Sequence, residues 1–110
     1  MIKSFYSALA CAAFMLVGTF VGAQLSVVIE VNTDFYGYET YWSLTDAGDA
    51  CGGASEYAAG GNTVVGCAGC AVQTATSGDA GAYGSSTMIV AGPYMLMAGD
   101  YDFHWVDDWG

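Results

Sequence analysis

Positive charge is almost missing from this chain: one Lys or Arg stands against 11 acids in 110 residues, and that one base is Lys3. A surface without Lys or Arg cannot neutralise phosphate, which excludes nucleic acid and anionic membrane surfaces as partners. Nor is there an Arg to clamp a carboxylate or phosphate substrate through two parallel bonds. Histidine and proline occur once each, as His104 and Pro93. His104 has no Ser or Cys nucleophile pattern around it, and both Gly-x-Ser-x-Gly and the Asn-x-Ser/Thr glycan acceptor are absent. Two carboxylates for glycoside hydrolysis can be nominated in any chain this acidic, so they carry no weight. A non-catalytic protein is expected. Charged residues make only 11% of the chain, against 55% hydrophobic and 15% aromatic, which excludes a disordered polyanion.

What is present begins with a hydrophobic leader. No charge occurs from Ser4 to Ile29, and an apolar block runs from Phe5 to Val21 behind Lys3. A basic start, an apolar stretch and the small residues Val21-Gly22-Ala23 describe a secretory signal helix over residues 1–23, cleaved after Ala23. The alternative is an uncleaved membrane anchor, since about 20 apolar residues span a bilayer. Either way residues 24–110 are expected outside the cytoplasm as a single domain. Loss of the one positive charge would take the formal charge from −10 to −11.

A core of that size is marginal and gains from a cross-link. Cys51, Cys67 and Cys70 follow the leader, which contains Cys11. Export favours disulfide chemistry, so Cys51 is expected to pair with Cys67 or Cys70, contributing about 3 kcal/mol. The remaining thiol would then serve an intermolecular bond or stay reactive. A zinc site built from the three thiolates and His104 is the alternative. A thioredoxin-like role for Cys67-Ala-Gly-Cys70 lacks the helix that such a motif opens.

Alternation identifies strands. Leu25, Val27, Ile29 and Val31 share one face of a first strand, with Ser26, Glu30 and Asn32 on a wet face. Thr40, Trp42 and Leu44 alternate with Tyr41, Ser43 and Thr45 in a second, expected to run antiparallel to the first. From Asp46 to Ser86 the chain turns to Gly, Ala, Ser, Thr and Asp, with brief strands expected near Thr63–Val65 and Ala71–Thr76. Thr87–Ala91 and Tyr94–Met97 are apolar runs separated by a turn or bulge at Gly92-Pro93. In the last strand, Asp100–Val106, Tyr101, Phe103 and Trp105 share a face, and Trp42, Phe103 and Trp105 are expected in the core. Short strands, Gly-rich turns and no amphipathic helix predict an all-β, antiparallel β-sandwich, jelly-roll-like, behind the signal helix.

The stretch Thr33-Asp-Phe-Tyr-Gly-Tyr-Glu-Thr-Tyr-Trp-Ser-Leu-Thr-Asp46 resembles the opening, T-D-x-Y-G-x-E-T-x-W-x-L-x-D, of a β-sandwich module of secreted and cell-surface proteins. Tyr94–Gly110 is similar in order and spacing to the module's later half, which closes on a D-S-Y-G-D-G turn. The family's paired cysteines would fall at Met95 and Asp100, and both are replaced together. The family pattern continues with Asp-Gly and another strand where this sequence stops at Gly110, so either a longer chain or a strand from a neighbour is expected to complete the module. The resemblance implies a non-catalytic carbohydrate-binding or adhesion role, although a fold shared by many functions does not by itself fix one.

Two turns collect the candidate functional residues. Asp34 and Glu39 flank Gly37, and Asp107 and Asp108 lie in the last turn; together they could supply oxygens to Ca²⁺ if the two turns meet. The alternative is that the Asp residues cap turns. Among aromatics around the turns, which include Phe35 and Tyr41, Tyr36, Tyr38 and Trp109 are the candidates for stacking on sugar rings; aromatic residues on strands are otherwise expected to stabilise cross-strand pairs. The first functional expectation is an extracellular module that binds a glycan or surface protein, assisted by calcium. The second is a structural subunit of a filament, coat or matrix, self-associating by strand pairing or an intermolecular disulfide, against the self-repulsion of its acids.

Overall fold

A computed structural model describes residues 23–71 and 73–109; the signal helix or anchor expected over residues 1–23 lies, except for Ala23, outside them. Among the described residues no helix is long and apolar enough to cross a membrane. The fold is all-β. Strands β1 (Gln24–Asn32) and β4 (Met88–Met97) form an antiparallel ribbon, and β2 (Thr40–Asp46), β3 (Ala58–Gly61) and β5 (Tyr101–Asp107) form a second antiparallel sheet in the order β3-β2-β5. The expected pairing of the first two strands is therefore wrong: β1 and β2 lie in different sheets. The Thr33–Glu39 connection, with its 3-10 turn at Gly37–Glu39, carries the chain from one sheet to the other.

The inner faces follow from alternation and one bulge. Val31, Ile29, Val27 and Leu25 stand opposite Ile89, Ala91, Tyr94 and Leu96, with the register shift between Val27 and Ile29. Gly92 and Pro93 lie at that shift, so β4 has one more residue there than β1. The extra residue resets the parity of β4, and both of its apolar halves point the same way. Pro93, which has no amide to donate, is tolerated at such a bulge. The two apolar runs thus belong to a single strand, and of the turn or bulge expected at Gly92-Pro93 it is the bulge that forms. Val31 and Leu96 from the ribbon join Trp42 and Leu44 from β2 in one buried cluster, with Ile29, Ile89, Tyr94 and Tyr101 packed around it.

Two strands cannot cover three. Phe103 and Trp105 share the inner side of β5 with Tyr101, and Phe103 stacks on Trp42 at a ring-centroid distance of 5.6 Å. Yet Phe103 is 45% and Trp105 49% exposed, because the ribbon leaves this part of the wider sheet uncovered. Their expected place in the core is corrected accordingly; Trp42, 0% exposed, is in it.

β3 escaped the sequence reading because it has almost no side chains. Gly60 stands opposite Trp42, and a Cβ there would lie 2.7 Å from the indole Nε1 and 2.5 Å from the Tyr83 hydroxyl. Only a bare backbone lets the largest core side chain lie against the neighbouring strand. The strands expected at Thr63–Val65 and Ala71–Thr76 are not formed. Thr63–Val65 is a turn, and the 3-10 segment Gly66–Ala71 leads into an irregular stretch at Gln73–Thr76; Val72 lies outside the described residues. Cys51 bonds to Cys67, cross-linking the β2–β3 loop to the 3-10 segment and leaving Cys70 exposed and free. This pairing removes two of the thiolates that a zinc site would need.

The indole of Trp42 donates to the Tyr83 hydroxyl at 2.9 Å. Tyr83→Phe leaves that buried N–H without its acceptor and is expected to cost about 1–3 kcal/mol. The check is urea unfolding at fixed pH; an unchanged midpoint would mean that the indole has another acceptor.

Candidate functional site

The two turns singled out in the sequence meet, and each is built around an aspartate. Asp34 Oδ1 accepts the Tyr36 amide at 2.8 Å, and Asp107 Oδ1 accepts the Trp109 amide at 2.8 Å. Both are side-chain turns closing two residues on, the local conformation that Asp favours. The Glu39 amide donates to the Tyr36 carbonyl at 2.9 Å, and the Asp108 amide donates to the Glu39 carbonyl at 3.0 Å, joining the end of β5 to the turn before β2. From the other side, Asn62 Nδ2 donates to the Tyr38 carbonyl at 2.8 Å.

The segment Gly84–Thr87 holds the first turn in place. Thr33 Oγ1 donates to the Gly84 carbonyl at 2.7 Å, Ser85 Oγ to the Phe35 carbonyl at 2.6 Å, and the Ser86 amide to the Asp34 carbonyl at 2.6 Å. Gly37 is required for this approach, since a Cβ there would overlap the Gly84 carbonyl oxygen.

Tyr36, Tyr38, Glu39 and Trp109 line one open cleft of about 450 Å³. The three aromatics are those nominated for ligand contact, and they arrive from opposite ends of the domain sequence. The rings of Tyr36 and Tyr38 are 6.2 Å apart and inclined at 80°. Tyr36 and Trp109 remain 51% and 64% exposed, so their faces are open to a ligand.

The acids do not share one role. Asp108 is fully buried and receives the Gln73 amide on Oδ1 at 2.6 Å and the Ala75 amide on Oδ2 at 3.1 Å, anchoring the irregular stretch. Asp34 and Asp107 hold the turns. Glu39 is different: the residue is 8% exposed, and its side chain makes no hydrogen bond among the described residues. Burial, and then the negative charges of Asp107, Asp108 and Asp34, push its carboxyl above the usual range. Among the described residues no group of three or more His, Cys, Asp or Glu is arranged to hold a metal ion.

His104 is half-buried and meets the Thr45 hydroxyl at 3.0 Å on the outer side of β2 and β5. Sequence reasoning missed Asn62 and Asp79. Asn62 Oδ1 accepts the Val64 amide at 2.8 Å, and Asp79 receives Asn62 Nδ2 at 3.0 Å and the Thr76 amide at 2.7 Å, which holds the Asp79 carboxyl below its usual range. The signals were Asn62-Thr-Val64 and Thr76-Ser-Gly-Asp79, side-chain turn and capping patterns that a strand assignment at Thr63–Val65 passed over.

No family model matches the chain, and no curated protein or solved structure was found to match it. Its site is therefore read from its own residues.

A carboxyl raised by folding is ionised against an unfavourable environment at neutral pH. That penalty disappears as pH falls below its unfolded value, near 4.5. Glu39→Gln is expected to raise the melting temperature at pH 7 to 8, with the difference from wild type closing below about pH 4.5. Melting curves across that range decide it, and a gain that persists at acid pH would point to packing instead.

Proposed function

We propose that residues 24–110 form a secreted, non-catalytic, jelly-roll-like β-sandwich module that binds an extracellular glycan or glycan-bearing surface partner in the Tyr36–Tyr38–Trp109 cleft. One observation carries this reading: three aromatic residues from two distant turns line a single open cleft together with Glu39. Its volume suits one or two sugar rings, within the range of ordinary ligand sites. Aromatic faces pack on the apolar faces of sugars while phenol and carboxyl groups bond their hydroxyls. The leader supports the extracellular setting, as does the Cys51–Cys67 disulfide. Calcium enters this reading as an assistant rather than the ligand, since the Asp34, Asp107 and Asp108 carboxylates already accept backbone amides.

Trp109→Ala removes one wall of the cleft at an exposed position and is expected to weaken glycan binding about tenfold or more without lowering stability by more than about 0.5 kcal/mol. A glycan array probed with wild type and variant, with and without Ca²⁺, tests this. Absence of binding by wild type in both conditions would overturn the reading.

A second reading, self-association, is favoured by the outward side of β4. Met88, Val90 and Met95 are each more than half exposed there, with Met97 at 43%, on a two-stranded ribbon. Such a ribbon is a template for further strands. Acidic self-repulsion opposes this and is screened by salt. Sedimentation velocity is expected to show larger species appearing as NaCl rises from about 0.01 to 0.5 M, the range over which screening shortens to a few ångströms. A monomer throughout would remove the reading, and a species lost on reduction would assign it to Cys70.

A further inference from the structure

The Glu39 carboxyl has the wrong surroundings for a residue that only supports the fold. The residue is nine-tenths buried and lines the cleft, and its side chain has no hydrogen-bond partner among the described residues. The charges acting on it, Asp107, Asp108 and Asp34, are all negative. There is no Lys or Arg anywhere in residues 24–110, and His104 is engaged by Thr45. A buried carboxylate without a positive partner is costly. No side chain of the domain supplies that partner.

Two kinds of cation could. A hard metal ion wants six to eight oxygens, and the neighbouring Asp34, Asp107 and Asp108 each have carboxylate oxygen committed to backbone amides. The rest of the lining is aromatic, with the Tyr36 and Tyr38 rings meeting nearly at right angles and Trp109 completing the cleft. Aromatic faces attract organic cations through the negative potential above the ring, and such rings set at an angle around a carboxylate suit an ammonium group.

Building on the ligand cleft proposed above, we infer that its ligand carries a positively charged ammonium group, held between the Tyr36, Tyr38 and Trp109 rings and facing the Glu39 carboxyl. Within the glycan reading this is an amino sugar with a free amine. A methylated ammonium head group offers the same chemistry from another source. Neutral and acidic sugars are disfavoured because they leave Glu39 without its counter-charge.

The experiment titrates the purified protein, by calorimetry at fixed pH, with the tetramer of glucosamine, the tetramer of N-acetylglucosamine and choline chloride. The two tetramers share a backbone and differ in the charge on nitrogen. The glucosamine tetramer or choline is expected to bind at least about tenfold more tightly than the acetylated tetramer. The tighter of the two names the source, amino sugar or methylated ammonium. Glu39→Gln and Trp109→Ala are each expected to lower ammonium binding by a similar factor; Trp109→Ala leaves every acid in place and so separates the cleft from general attraction to an acidic surface. Acetylated tetramer binding as well as or better than both cations overturns the ammonium inference and leaves the glycan reading standing. Choline binding with neither tetramer overturns the glycan reading and leaves the ammonium standing. Binding unaffected by either substitution, or no binding of any probe, overturns the inference.

Discussion

The carboxamide of Asn62 joins three segments that would otherwise have little reason to stay together. It is fully buried, and its Nδ2 donates both to the Tyr38 carbonyl and to Asp79, while its Oδ1 accepts the Val64 amide and its own amide donates to Thr40. The stretch from Asp46 to Ser86 is made of Gly, Ala, Ser, Thr and Asp, so it has little apolar area with which to offset its ordering. Polar groups satisfied in the interior hold it instead. A buried amide left without partners costs about 1–3 kcal/mol, which makes the arrangement all or nothing. Asp108 does the same at the end of β5, gathering the Gln73 and Ala75 amides. The turns that line the cleft are thus secured by the least hydrophobic part of the sequence.

This explains which elements could be read in advance. Strands β1, β2 and β5 carry period-two patterns because each presents one side to the shared core, and their bounds fall close to those expected from alternation. The all-β class followed from them. Pairing did not, because alternation shows which side of a strand is buried but not which strand lies beside it. β3 carries no pattern, since Gly60 must be bare for Trp42 to lie against it. The burial of Ser43 and Thr45 was hidden for a related reason: they lie on the outer side of β2, yet Ser43 is covered by loop groups, donating to Glu56 and accepting from the Gly52 amide, and Thr45 meets His104 of β5. A hydroxyl reads as solvent-facing unless its buried partner is known.

The site was legible in its residues and less so in their roles. Tyr36, Tyr38 and Trp109 were marked by lying on turns, and turns are where a rigid scaffold presents contacts. The acids beside them admitted two meanings, cation ligands or turn caps. Spacing alone could have favoured the second for two of them: Asp34-x-Tyr36 and Asp107-x-Trp109 are the same local device, with the carboxylate closing on the amide two residues later. Each aspartate orients the aromatic residue that follows it. Glu39 has no such local duty, its carboxyl accepting no amide among the described residues.

Glu39 also ties the fold's weakness to its use. In a domain whose central cluster consists of Val31, Trp42, Leu44 and Leu96, a buried carboxyl repelled by three aspartates is a burden on a small total stability. Replacing it by an amide of the same shape would relieve that burden, so stability alone does not account for its being there. If the cleft takes the proposed cation, the same burden becomes binding free energy, because the ligand then supplies the counter-charge that the sequence withholds. The near absence of Lys and Arg acquires a local meaning on this view. A basic side chain able to reach Glu39 would satisfy it internally and close the cleft to an outside cation, so the charge imbalance of the sequence is also what leaves this carboxyl without an internal counter-charge.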